Sequence, residues 1–295
     1  MSTTAIIMLA IKASLALMVL GVGLNATPRD ATYLLRHPAL LARSFLAMSI
    51  LMPLVALSLG VSFELHRPVA LALVALTLSP VPPFLPTKAI KVGGDGSYVI
   101  GLLVATSLAA IVVVPLSVLL LGAVFVTPLE VRPGAIAKLV GASVLVPIGI
   151  GIGLRELAPR AAARAAKPAS LLATIVLVAA LIPVLIKAWP AMRALVGNGT
   201  LAAIVGMTLV GLGVGHLLGG PDRDDRTVLA LATAARHPAV AITILTANFP
   251  DEKLVPAAVV LALIVGAIAS VPYSAWTKRR RERPVEGPAK LRSVA

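Results

Sequence analysis

Nine long apolar runs, joined by short polar connections, take up nearly all of the 295-residue chain: roughly 5–27, 38–60, 68–92, 96–126, 133–155, 169–189, 199–219, 227–249 and 254–276. A bilayer's hydrocarbon core is crossed by about 20 apolar residues in a helix. Backbone groups in lipid must be satisfied within their own segment, so runs of this kind are helices rather than open strands. The reading is an all-α polytopic membrane protein with nine transmembrane helices. Composition agrees, because 59% of the residues are hydrophobic and 13% charged, with a mean hydropathy of +1.00. A soluble domain carries about twice that share of charge. Residues 1–276 are expected to form one transmembrane domain, followed by a basic and flexible cytoplasmic tail over 277–295. The opening MSTT has no charged region ahead of the first run, so a cleaved signal peptide is not expected. Cysteine is absent, which removes disulfides and thiolate chemistry.

Two of the runs are interrupted. The third contains SPVPPFLPTK, with Pro80, Pro82, Pro83 and Pro86, and the eighth contains ARHPA, with Pro238. Proline removes a backbone donor and clashes with the preceding turn, so both helices should unwind at these points. Counting spans puts the third and eighth in opposite directions, as in an inverted repeat. Crossing at their breaks would set residues 79–86 against residues 235–238. Discontinuous helices near the midplane are the usual construction of a secondary-transporter site.

The basic residues in the connections set the orientation. One side holds Arg29, Arg36, Arg43, Lys91, Arg155, Arg160, Arg164, Lys167, Arg223, Arg226 and the basic tail. The other holds only Arg67, Arg132, Lys138, Lys187, Arg193 and Lys253. The richer side is expected to be cytoplasmic, with the N-terminus outside, the C-terminus inside and the chain multi-pass in the inner cell membrane. This placement makes the net charge of +14 a topology signal rather than a nucleic-acid footprint. The tail sequence TKRRRERP reads as a stop-transfer element in preference to a lipid switch.

Three cations do not fit that scheme: Lys12, Lys88 and Arg236 lie inside apolar runs, while every Asp and Glu falls at a run's end or beyond. A charge at the bilayer centre costs about 2.5–3.5 kcal/mol on insertion scales, so it usually faces a cavity. Lys12 sits seven residues into the first run and can snorkel outward. Lys88 is close enough to the cytoplasmic end for either snorkelling or lining a site. Arg236 is central and points to an anion site, its alternative being an arginine satisfied by helix carbonyls. His237 beside it is a packing residue or a proton carrier. The same letters RHPA at 36–39 need no such account, since Arg36 is an ordinary connection residue and Pro38 starts a helix. Thr87, Thr233, Thr106 and Ser107 are candidate hydroxyl ligands, although such groups often bond back to their own helix. Phe84, Asn25 and Met207 are candidate crevice residues.

The chain resembles the bile acid:sodium symporter family. The likeness is carried by LMVLGVGLN, LLRHPALLARSFLAMSILMPLVA, LALVALTLSPVPPFLPTKAIKVGGDGSYVIGLLVATSL, VLVPIGIGIGLRELAP and TVLALATAARHPAVAITILTANFP. The resemblance implies nine or ten spans, two crossing broken helices, and a core and a panel domain with an organic-anion crevice between them. It also implies sodium ligands at positions like Ser79, Thr106 and Ser107. Departures are pronounced at the crossings. The family's first crossover resembles P-G-G-x-x-S-N, where this chain keeps Pro80 but has Val81, Pro82, Leu85 and Pro86. Its second carries a glutamate and a Q-N-S stretch, where this chain has Leu231 or Ala232 and Ala235-Arg236-His237. Sodium coupling is therefore in doubt.

The expected function is secondary transport of a small or amphipathic organic anion by alternating access, with Arg236, His237, Lys88, Thr87, Thr233 and Asn25 as substrate-site candidates. No cofactor, resident metal or catalytic group is expected; Na+ or H+ is the candidate coupling ion. The partners are the organic anion and the lipid bilayer, with no nucleic acid, and homo-oligomerisation stays open. The alternative is a non-transporting sensor or binding protein on the same fold. Neither H-E-x-x-H, G-x-S-x-G nor G-x-x-x-x-G-K-[ST] occurs, which argues against an enzyme or a nucleotide-driven pump.

Overall fold

The computed structural model describes residues 3–126 and 128–282. Twelve helices carry the architecture. They are α1 (Thr3–Gly23), α2 (Pro38–Ser62), α3 (Arg67–Leu78), α4 (Leu85–Lys91), α5 (Gly96–Val124) and α6 (Pro133–Leu157). After these come α7 (Pro159–Ala194), α8 (Thr200–Leu218), α9 (Arg223–Ala234), α10 (Pro238–Asn248), α11 (Val255–Ala269) and α12 (Val271–Glu282). Eight segments of the described residues are long and apolar enough to cross a membrane, taking α9–α10 and α11–α12 each as one. The third expected run is instead two shorter helices, α3 and α4, on either side of its prolines. Of the expected tail, residues up to Glu282 continue α12, and 283–295 lie outside the described residues.

Large aliphatic side chains face outward. Leu171, Leu172, Ile175, Val178, Ile182 and Ile186 on α7 are all more than half exposed. Such a ladder would be a liability in water and is suited to acyl chains. At 36 residues, α7 is about 54 Å long by helical rise, longer than a bilayer core. Part of its surplus is the first three turns, which hold Arg160, Arg164 and Lys167.

The connections gather at two ends. At one end the Arg155 guanidinium donates to the Asn25 carbonyl, and Arg36 donates to the Arg29 carbonyl. A capping box there links Thr27 and Asp30, and Ser97 donates to Asp30 Oδ1 at 2.5 Å. At the other end the Glu130 amide donates to Asn248 Oδ1 at 2.7 Å, and Arg67 pairs with Glu252 at 3.2 Å. The Arg67–Glu252 contact is the only ion pair found among the described residues.

Two apolar clusters fill the interior. One joins α3, α10 and α11 with the later part of α5; the other joins α4, α9 and the earlier part of α5 with α1 and α2. The pairing α3 with α10 and α4 with α9 places one half of each broken span in each cluster. Close approach depends on glycine at the α8–α9 contact. A Cβ on Gly215 would meet the Leu229 carbonyl oxygen at 2.4 Å and Ala230 Cα at 2.5 Å. Helix α1 packs along α6 and α7, where Gly23 and Gly151 face each other in the same way.

Candidate functional site

Proline dictates where both breaks fall. Ser79, preceding Pro80, is held extended at ψ 150, which ends α3 at Leu78. Pro86 then sits in the first turn of α4, where its missing N–H costs nothing. In the second break Ala235 is extended at ψ 136, His237 lies at ψ 106, and Pro238 begins α10. The two breaks touch: the His237 backbone N–H donates to the Pro80 carbonyl at 2.9 Å. Two helix C-termini, of α3 and α9, and two N-termini, of α4 and α10, therefore converge. Their partial charges add locally, negative from the first pair and positive from the second.

Arg236 lies inside this crossing, only 4% exposed. Its Nη2 donates to the Met48 carbonyl at 2.9 Å and its Nη1 to the Ser79 carbonyl at 3.4 Å. Both acceptors are orphans for identifiable reasons. Helix α2 widens into a π-turn over Leu46–Leu51, where the Met52 amide reaches back to Ala47. The next residue is Pro53, which has no N–H to give to Met48. Ser79 caps α3, and its carbonyl has left the helical ladder. The guanidinium thus serves carbonyls at a helix end and at a proline gap. Its Nε, and both ring nitrogens of the buried His237, have no partner among the described residues.

A cavity of about 70 Å³ adjoins one side of Arg236. Its walls include Lys88, Ser270, Thr208, Phe84 and Met207, and among the described residues no carboxylate lines it. The Lys88 ammonium donates to Ser270 Oγ at 2.7 Å, so this side chain points into the crossing region rather than away from it. A smaller cavity of about 20 Å³ lies on the other side of Arg236, between Ser79, Pro80 and Thr106.

The remaining candidates are distributed around this centre. Ser79, Thr106 and Thr233 donate their hydroxyls back to Ala75, Leu102 and Leu229. Thr106 also accepts from the Val81 amide at 3.5 Å, tying the first break to α5. Ser107 Oγ is buried without a partner among the described residues. Thr87 and Asn25 are not brought to Arg236; they line a separate cavity of about 430 Å³ with Asp30, Lys91 and Ser97. Helix α4 divides the two spaces, offering Lys88 to one and Thr87 and Lys91 to the other. Pro82 and Pro83 lie in the non-helical link before α4, and neither lines a cavity described here. Lys12, the third cation of the apolar runs, is exposed on α1.

Sequence reasoning missed Ser270, Thr208 and the Met48 carbonyl. Ser270 and Thr208 are single hydroxyls in apolar runs and carry little signal. Pro53 was a readable sign that a carbonyl in the preceding turn lacks its donor.

No curated protein matches the chain. Residues 13–188, more than half of the sequence, match the sodium bile acid symporter family. The match takes in the first break and ends before Arg236. With its apolar helices and two touching helix breaks, the chain belongs to the sodium bile acid symporter family, whose members are membrane-embedded helical transporters rather than enzymes.

Proposed function

We propose that this transporter moves a small or amphipathic organic anion by alternating access, and that it does so without requiring a sodium gradient. The observation that carries this reading is the pair of cations, Lys88 and Arg236, bordering one cavity at the meeting of two broken helices that no described carboxylate lines. Positive charge with no protein counter-ion is stable there only if dipoles or a bound anion complement it. Arg236 is already engaged by Met48 and Ser79, so it supplies the fixed charge that holds the crossing together. Lys88 is bonded only to a neutral hydroxyl and is the group best placed to meet an incoming anion. A space of about 70 Å³ takes a carboxylate or sulfonate head but not a large apolar body. The rest of a larger substrate would lie in a crevice opened by domain movement.

In this reading α3–α4 form the ninth span, completing an inverted repeat. The bundle of α1, α6 and α7 acts as a panel against a core built from α2–α5 and α8–α12. The end rich in Arg and Lys is cytoplasmic, in an inner cell membrane. Sodium independence follows from the chemistry of the crossing, where a guanidinium occupies carbonyl oxygens that a dissociable cation would otherwise use.

Uptake of radiolabelled carboxylates and sulfonates, taurocholate among them, into proteoliposomes tests the reading. Saturable uptake should appear for at least one of them. Lys88→Gln should weaken its half-saturation by about 10- to 100-fold, the equivalent of one charge-assisted hydrogen bond. Uptake indifferent to Lys88→Gln would remove the assigned role.

A further inference from the structure

A second cationic cavity lies at the end of the molecule where the basic connections gather. It measures about 370 Å³ and is bounded by the first turns of α9, the end of α8, the turn after α4 and the last turns of α12. Three arginines line it: Arg223, Arg226 and Arg280. Among the described residues the one carboxylate on its wall is Asp224, and none of the three forms an ion pair with any described acid. Each guanidinium is positioned in a different way. Arg226 donates its Nε to the Gly220 carbonyl at 2.7 Å, which fixes the group, and its Nη donors have no hydrogen-bond partner among the described residues. Arg280 lies 4.0 Å above the Trp276 ring, a stacking that leaves the in-plane N–H groups available. Arg223 is exposed at the rim. His216, also on the wall, is held by Tyr273, whose hydroxyl lies 2.8 Å from its Nδ1.

We propose that this cavity binds a phosphoryl group. Guanidinium forks match the non-bridging oxygens of a phosphate, mono- or diester, and an excess of two positive charges over Asp224 favours an anionic one. Tyr273 and Trp276 are the aromatic residues expected where a span meets its interface, so the cavity sits at headgroup level. The phosphoryl comes either from an anionic lipid of the adjoining leaflet or from a phosphorylated solute. The walls give occupancy a consequence. Helix α9 leads to Arg236, and Val92 and Gly93 follow directly on α4, which carries Lys88. A bound phosphoryl therefore ties the same ends of both broken spans to the C-terminal helix.

The test uses the full-length protein carrying Trp189→Phe, which leaves Trp276 as the one remaining indole. Trp276 emission and melting temperature are followed in three arms. These are inorganic phosphate in detergent, nanodiscs containing phosphatidylglycerol, and nanodiscs of phosphatidylcholine alone, with ionic strength matched by chloride. A saturable response to phosphate, weakened at least about tenfold by Arg223→Gln with Arg280→Gln, supports a solute phosphoryl. A response confined to phosphatidylglycerol and lost in the same variant supports the lipid headgroup. No saturable response in either arm, an equal response to chloride, or one unchanged in the double variant overturns the proposal. Transport is not measured, so failure here is separate from failure of the transport reading.

Discussion

Replacing Arg236 with glutamine tests the idea that the crossing contains its own cation. The substitution removes the Nη donors from the Met48 and Ser79 carbonyls, at 2.9 and 3.4 Å. A buried carbonyl left without a donor costs about 1–3 kcal/mol, and the longer contact lies at the weak end of that range. Opposing this is relief of the desolvation penalty on a buried ion, which is itself several kcal/mol. The α3 and α9 C-termini also lose the guanidinium facing them, worth about 0.3–1 kcal/mol each, so the summed losses should exceed that relief by up to about 2 kcal/mol. For a chain of this size that corresponds to a melting shift of about 4–8 °C. The more diagnostic outcome concerns sodium. The introduced glutamine would add an amide oxygen to carbonyls already stripped of their cation, and oxygen clusters of this kind bind hard ions. Sodium present at about 100 times its dissociation constant would restore about 2.7 kcal/mol. The assay is thermal unfolding of purified protein at one scan rate, in sodium chloride and in N-methylglucamine chloride. The variant should be destabilised in N-methylglucamine and largely rescued by sodium, with wild type indifferent to the exchange. A sodium-specific gain in wild type as large as that in the variant would refute the reasoning.

Two further predictions address the frame around the site. Burial pushes the Asp30 carboxyl up, but hydrogen bonds from Ser97 and Thr27, with help from Arg155, bring it below its ordinary value of 3.8. Stability from this group is therefore present above that value and lost as pH falls through the lower folded value. Asp30→Asn should cost about 1 kcal/mol at neutral pH as one carboxylate acceptor lost from the bonds to Thr27 and Ser97, and should flatten the wild-type fall in melting temperature below about pH 4; an unchanged acid limb would count against the linkage. Gly215→Ala drives a methyl into the α9 backbone at 2.4 Å and should destabilise by about 1–3 kcal/mol. Gly206→Ala, where a Cβ meets nothing within 4 Å, should not destabilise, and equal losses at the two sites would argue against the α8–α9 contact.

The helices and their interruptions were legible because they rest on local chemistry. Runs such as 96–126 are too apolar for water, and Ser79-Pro80 and His237-Pro238 forbid helix at fixed positions. The convergence of 79–86 with 235–238 was also readable, since opposed broken spans have complementary free groups. The direction of Lys88 was not. Its distance from the span end allows both snorkelling and an inward course, and the Ser270 hydroxyl 182 residues away in sequence is what the inward course meets. Nor did sequence distinguish an arginine satisfied by carbonyls from one facing an anion. Arg236 turns out to border a cavity while donating to carbonyls, because Pro53 and Ser79 leave acceptors on one side of it. Thr87, a hydroxyl beside the first break, and Asn25, a candidate crevice residue, were grouped with Arg236, but the two-turn helix α4 separates their cavity from its own.

The most direct measurement is the initial rate of organic-anion uptake into proteoliposomes holding wild-type protein, with an inward sodium gradient and with potassium or N-methylglucamine substituted. A crossing that carries its own guanidinium predicts equal rates in all three, at unchanged half-saturation. A rate that rises several-fold with external sodium, and collapses when the gradient is dissipated, would contradict it.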